Sequence, residues 1–293
     1  MKTLRAFLCL PLWLVLMSGK ALAIDLQPGD IIAPPPDLNL IQFSYLSSKY
    51  GDRYAQGQKT ALNSNIHTSQ FLVRMGHTFE VSDYAALFYV QTPIGYLHPD
   101  MTLPACHGRC EGDSGVGDST MLFAFWPYAN HETKTYFALG AYLTVPSGSY
   151  ADDRLFNLSG NRYQSALQAG YQTPLLDNLA WSTAFDVTWS GDNNHYLSTF
   201  KREQEALYTG QTALQYFITP TYSVGTTLFY TAGGETSLNG SKQHDVMDLQ
   251  RYQLTLVGRY AFGRITIQYG RDFKTDNGFI EDGRLILRYS KLF

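Results

Sequence analysis

Six arginines and one aspartate are the side chains of this sequence whose type and spacing could do chemistry together. Arg284, Arg288 and Ser290 alternate with Leu285, Leu287, Tyr289 and the terminal Phe293, so a strand over Gly283–Phe293 is charged on one face and apolar on the other. The same parity sets Arg251 and Arg259 against Tyr252, Leu254, Leu256 and Tyr260, and Arg264 against Ile265, Ile267 and Tyr269. Arg74 lies on the polar face of an earlier segment. The other five belong to the last three segments, which are neighbours in a meander. A guanidinium is permanently charged and presents a fork of donors that fits a carboxylate. A stripe of them could guide or select anionic solutes such as the carboxylates of aromatic acids. The stripe could equally be structural. A charge in a narrow enclosure needs a partner, and Asp186, Glu205 and Asp30 are the acids expected to provide one.

Other candidates carry less. Cys106 and Cys110 stand in Cys-His-Gly-Arg-Cys, which in an exported chain predicts a disulfide that pins a loop. The alternative is a metal pair completed by His107, although three close ligands are few for a closed site. Gly117-Asp118 predicts a tight turn. Asp152-Asp153 and Gly191-Asp192-Asn193-Asn194 are acidic loop tips without the ligand spacing of a calcium loop. His67 and Ser69 share a face, but no oxyanion donor accompanies them. No glycine-rich phosphate loop is present. The sequence therefore predicts no catalytic residue, no metal and no cofactor.

The elements that must position the arginines follow from composition and pattern. The chain has 293 residues, 14% aromatic, with 21 Tyr and 17 Phe, and only 16% charged, against about 25% charged in average usage. Low charge with abundant Tyr suits a protein whose outer face is not in water. Residues 1–23 read as a secretory signal peptide: Lys2 and Arg5, an apolar run from Ala6 to Met17, then Ala21-Leu22-Ala23 as the cleavage site. Its loss removes three of the 22 basic residues and none of the 25 acidic ones, so the mature chain is acidic and no nucleic-acid partner is expected. No segment offers the roughly 18 consecutive apolar residues of a membrane helix. A membrane form must then be a closed barrel, because lipid leaves no other way to satisfy the backbone.

Residues 24–37, with Pro28-Gly29-Asp30 and Pro34-Pro35-Pro36, predict an irregular arm that either hangs in the periplasm or plugs the barrel mouth. Residues 38–293 read as about twelve strands: Leu38–Leu46, Ile66–Phe79, Tyr84–Gln91, Val116–Trp126, Lys134–Val145, Arg162–Thr173, Leu179–Ser190, Glu205–Ile218, Thr221–Thr231, Gln250–Phe262, Arg264–Phe273 and Gly283–Phe293. The clearest is Leu179–Ser190, where Trp181, Phe185, Val187 and Trp189 alternate with Ser182, Ala184, Asp186 and Thr188. The connections alternate short and long, as in outer-membrane barrels with short periplasmic turns and long outer loops. A soluble sandwich has no reason to sort its loops this way.

Pro28-Gly29-Asp30 and Ala33-Pro34-Pro35-Pro36, running into Leu38-Asn39-Leu40, resemble the start of the family named for the MetA pathway of phenol degradation. Thr92-Pro93-Ile94-Gly95, Gly115-Val116-Gly117-Asp118 and Val145-Pro146-Ser147-Gly148 resemble that family's strand-end motifs. The resemblance spans essentially the whole mature chain. It implies an outer-membrane barrel that passes small hydrophobic, often aromatic, compounds, with no catalytic residues to carry over. Lys291 departs from the outward hydrophobic residue usual in a terminal strand, where it can snorkel to the interface.

Together these features predict an all-β fold: a closed antiparallel transmembrane β-barrel of about 12 strands with an N-terminal arm, in the bacterial outer membrane, cleaved after Ala23. The expected partners are membrane lipid, small hydrophobic or aromatic solutes and, through the C-terminal strand, the barrel-assembly machinery. The expected function is passive uptake. The alternative is a structural or ligand-binding surface protein with a closed lumen.

Overall fold

The computed structural model describes residues 25–62, 64–106 and 108–293. The expected signal segment and His107 lie outside them. Among the described residues, twelve long strands alternate direction along the chain: β1 (Asn39–Ala55), β2 (Asn65–Val81), β3 (Tyr84–Asp100), β4 (Ser119–Asn130), β5 (Thr135–Val145), β6 (Gln164–Leu176), β7 (Leu179–Ser190), β8 (Leu207–Phe217), β9 (Tyr222–Gly233), β10 (Met247–Tyr260), β11 (Gly263–Thr275) and β12 (Gly278–Leu292). Each pairs with its sequence neighbours. β12 returns to β1 in a register from Leu40 opposite Leu292 to Tyr54 opposite Gly278. The sheet closes on itself, so every spanning strand has a hydrogen-bonded neighbour on both sides, the condition lipid imposes. At the seam, Phe293 N–H donates to the Asn39 carbonyl at 3.0 Å and Asn39 N–H to the Phe293 carbonyl at 2.7 Å.

Period 2 then sorts the side chains. Tyr45, Phe71, Phe88, Leu167, Phe185, Leu228, Leu254, Ile267 and Leu287 are exposed on the outer face. Such a large apolar surface is stable only against another apolar medium. Aromatics gather near its rims: Tyr84 on Phe125 at 5.3 Å and Tyr260 on Phe262 at 5.0 Å at the short-turn end, and Phe185 on Tyr208 at 6.4 Å towards the other. Trp181 and Trp189 occupy opposite ends of β7 on the same outward face, as the alternation predicts. At the periplasmic end the β2–β3 hairpin turns on Ser82 and Asp83, both left-handed with φ 50° and 68°, the backbone a two-residue hairpin with strand-matching twist requires.

Several strands run further than the alternation predicts. β1 continues to Ala55 rather than Leu46, β3 to Asp100 rather than Gln91, and β12 begins at Gly278 rather than Gly283. These extensions carry the strands towards the outer loops. There Tyr50, Leu97 and Phe279 turn buried apolar side chains towards the outer loops, so the polar-in, apolar-out pattern falls silent while the ladder continues. β4 begins at Ser119 rather than Val116, which belongs to a short strand, Asp113–Val116, paired with β3. The outer loops fold over the mouth. A four-stranded sheet joins Asn193–Tyr196, Phe200–Gln204, Thr236–Leu238 and Ser241–Lys242.

Candidate functional site

The arm enters the barrel. From Asp37, whose N–H donates to the Thr78 carbonyl at the periplasmic rim, it runs back into the lumen to Asp25 at mid-height. Two acids on it meet four of the predicted arginines. Asp25 pairs with Arg251 and with Arg284 Nη1 at 3.1 Å. Asp30 pairs with Arg264 Nη1 at 3.3 Å and Arg288 Nη1 at 3.6 Å. Arg264 Nη2 also donates to the Pro28 carbonyl at 3.0 Å, and Gln27 bonds Gln268. The proline content explains why this segment docks as an irregular arm. It lacks the donors to join a ladder, so side chains and carbonyls make its contacts. Gly29 has φ +89° and passes Arg259 Nη2, which would lie 3.6 Å from an added Cβ.

The opposite wall is apolar. Tyr89, Leu122, Ala124, Trp126, Tyr136, Tyr142 and Ala166, from β3 to β6, form one buried cluster with the arm's Ile31 and Ala33. Leu26 and Ile32 pack against it. Trp126 Nε1–H donates to the Ile31 carbonyl at 2.8 Å, satisfying both a buried indole and an orphan carbonyl. Gly170 leaves room for this contact: an added Cβ would stand 3.1 Å from Ile31 Cδ1.

The arm divides the lumen. On its periplasmic side is a cavity of about 400 Å³ lined by Arg74, Arg259, Arg264, Tyr89, Leu122 and Trp126 among others. At mid-height, between Asp25, Gln27 and Arg284, about 20 Å³ remains, room for roughly one water. Above it lies a second apolar cluster, where Phe156 of the loop after β5 is buried among Tyr50, Ile66, Leu97, Tyr196 and Phe279. That loop is held by Asp118, whose Oδ1 accepts from Ser159 Oγ at 2.7 Å and Oδ2 from the Gly160 N–H at 2.7 Å. In the same loop region, burial and then the neighbouring Arg202 push the Arg162 guanidinium down to about 9.

All six predicted arginines face inward. The acids expected to pair with them divide. Asp30 does so. Asp186 faces the lumen and accepts from Gln168 Nε2 at 3.5 Å but pairs with no arginine among the described residues, and Glu205 instead pairs with Lys242 at 2.8 Å in the outer loops. Asp118 holds a loop instead of only closing a turn. Cys106 and Cys110 form a disulfide, with Cα atoms 5.0 Å apart; joined sulfurs have no thiolate to give a metal. Ser69 Oγ–H donates to the hydroxyl of outward Tyr45 at 3.0 Å, so the His67–Ser69 face is turned outward, away from the lumen.

Two features of the site lie beyond what strand parity reveals. Asp25 sits 226 and 259 residues from its partners, with no local pattern to link them. The apolar wall did leave a trace: Met121-Leu122-Phe123-Ala124-Phe125-Trp126 is apolar on both faces, which a strand between lipid and water would not be.

A family model described as "Putative MetA-pathway of phenol degradation" matches residues 50–289. Among solved structures, the chain is similar to an outer membrane channel from Pseudomonas putida F1, at 28% identity and a TM-score of 0.86, over 92% of this chain and 100% of that one. It also resembles the β domain of the Bordetella autotransporter BrkA at 10% identity and a TM-score of 0.53, over 87% of this chain and 99% of that one, a likeness of fold alone. None of the curated proteins matches. With most of its length covered by the family model, and with its closed twelve-stranded barrel, the chain belongs to the MetA-pathway of phenol degradation family of outer-membrane β-barrels.

Proposed function

We propose that the chain is a passive outer-membrane channel for small hydrophobic or aromatic molecules. The observation that carries this reading is the apolar wall inside the barrel. A water-filled pore is lined by polar groups, yet here Tyr89, Leu122, Ala124, Trp126 and Tyr142 face the lumen, and a second apolar cluster lies towards the outer mouth. A sugar crossing such a path would strip its hydration without recovering hydrogen bonds, which costs several kcal/mol, on the order of 2–7 per buried polar group. An aromatic molecule gains from the same surface. The Pseudomonas putida protein is described as a channel, which supports passage over a purely structural role. With the arm docked the mid-lumen is filled, so transport requires the arm to shift. The proposal includes export by the 1–23 signal, an arm over 24–37, a barrel over 38–293, and assembly directed by β12.

Pure phospholipid already passes small aromatics, so the test uses intact cells, whose outer membrane is the barrier. Cells carrying the barrel should take up a labelled aromatic solute faster than cells without it, with no gain for a sugar of similar size. Equal uptake of the aromatic solute in both strains would overturn the proposal. The second reading, a closed-lumen surface protein, is favoured by the filled mid-height. It predicts that trimming the outer loops abolishes function while uptake is unchanged.

A further inference from the structure

The arginines near the periplasmic end are unequally matched in charge. Arg259 and Arg264 are direct cross-strand partners on β10 and β11. Arg264 faces Ser290, two residues from Arg288 on β12. Arg74 on β2 faces Gln42 of β1, which itself faces Ser290. The four form one band across five adjacent strands. Among the described residues Asp30 is the one carboxylate paired with any of them, and it reaches Arg264 and Arg288. Arg74 and Arg259 meet neutral groups. Arg74 Nη2 donates to Gln91 Oε1 at 2.7 Å, with its guanidinium 4.1 Å from the centre of the Tyr89 ring. Arg259 Nη1 donates to Ser223 Oγ at 3.3 Å. The Nε atoms of Arg264 and Arg288 are buried without an acceptor. The mid-height pair also has donors without an acceptor, Arg251 Nε and Arg284 Nη2, but differs in charge balance: Arg251 and Arg284 share Asp25, and Arg284 Nε also bonds Glu281 Oε1 at 3.0 Å.

Four fixed cations around one anion, out of bulk water, repel one another. Added negative charge would stabilise them. Arg74, Arg259 and Arg264 border the cavity of about 400 Å³, a size within the roughly 300–1,000 Å³ range of small-molecule sites. The rest of its lining includes the Tyr89, Leu122, Ala124 and Trp126 surface and, from the arm, Ile31, Ile32 and the carboxylates Asp25 and Asp30, which are engaged by Arg251, Arg284, Arg264 and Arg288. One compartment therefore offers unneutralised guanidinium donors and an apolar bed.

We infer that this cavity binds amphipathic monocarboxylates, with the apolar body on the Tyr89–Trp126 wall and the carboxylate on Arg74 and Arg259. The inference rests on the channel reading and narrows its solutes to hydrophobic acids. Asp30 is the chain's own carboxylate on the same band.

The test is calorimetric titration of the purified mature barrel, in non-ionic detergent, with benzoate and with benzyl alcohol, which share a ring and differ in charge. The wild type should bind benzoate about tenfold or more tighter, as charge-assisted bonds warrant. Arg74→Gln with Arg259→Gln should bring benzoate down to the affinity of benzyl alcohol. A mobility shift between heated and unheated gel samples establishes that the variant keeps its barrel. Equal affinities in the wild type, a comparison that needs no variant, would overturn the inference, as would unchanged benzoate binding in the double variant. Cell uptake separates the two claims. Uptake of a neutral aromatic without benzoate preference removes the acid site and keeps the channel. Benzoate binding without passage of any aromatic removes the channel and keeps the site.

Discussion

The two walls that grip the arm do so by different physics. On β10–β12, Asp25 and Asp30 meet four guanidinium groups at a few well-defined points. On β3–β6, Ile31, Ala33, Leu26 and Ile32 spread over a cluster of aromatic and small residues. Ion pairs are directional and strong only while both partners are present; removing one strands the other in a place poor in water. Apolar contact is non-directional and declines in proportion to area. The charged wall should therefore hold the arm in register, while the apolar wall tolerates sliding. An anion that competes for these arginines is expected to loosen the arm at the charged side first, leaving its apolar contacts in place.

Removing Asp25 is the most severe way to break this contrast. Asp25→Ala leaves Arg251 with no carboxylate partner among the described residues and Arg284 with Glu281 alone. Stranding a buried charge costs about 3–5 kcal/mol, so the docked arm should give way to a released one. Planar-bilayer recordings should show a lasting rise in ion conductance, and the arm should become sensitive to protease. Conductance equal to wild type would mean that the charged wall does not hold the plug. Ile31→Ala tests the other wall. Large-to-small changes in a core cost about 2–5 kcal/mol, and the low end applies because Ile31 borders the open cavity. The expected record is brief openings over a closed baseline, since the ion pairs remain to recapture the arm.

Legibility in the sequence divides along the same line. The barrel was readable because lipid outside and water inside impose period 2 on each strand, and because short and long connections alternate. The arginines were readable by parity. Their partners were only half readable, because Asp30 lies in a conspicuous Pro-Gly-Asp while Asp25 sits beside the signal segment with nothing to mark it. The apolar wall was obscured because Leu122, Ala124 and Trp126 break the rule that made the barrel legible: their face should have been polar. Packing against the arm's Ile31 and Ala33 overrides the pattern there. The upper reaches of β1 and β3 were silent for a related reason, since Tyr50 and Leu97 there pack inward against the outer loops.

Trp126→Phe is a finer probe of the apolar wall. It keeps most of the ring and deletes the Nε1–H bond of 2.8 Å to the Ile31 carbonyl. A neutral hydrogen bond contributes about 0.5–1.5 kcal/mol, so the open fraction should rise by about twofold to tenfold, well below the effect of Asp25→Ala. An effect as large as that of Asp25→Ala would show that the apolar wall fixes register as firmly as the charged one.

The smallest expected effect comes from Gly170→Ala. The added Cβ would stand 3.1 Å from Ile31 Cδ1 and 3.3 Å from Ile31 Cγ1. That approach is tighter than ordinary van der Waals contact, but the atoms it meets are the end of a flexible side chain beside the cavity. Ile31 can yield by a few tenths of an ångström, whereas the ion pairs of Asp25 and Asp30 on the far wall need not move. If the apolar wall permits sliding, conductance and protease resistance should stay within about twofold of wild type. A large rise in conductance would mean that the arm cannot give way even here, so that Ile31 is seated as rigidly as Asp25.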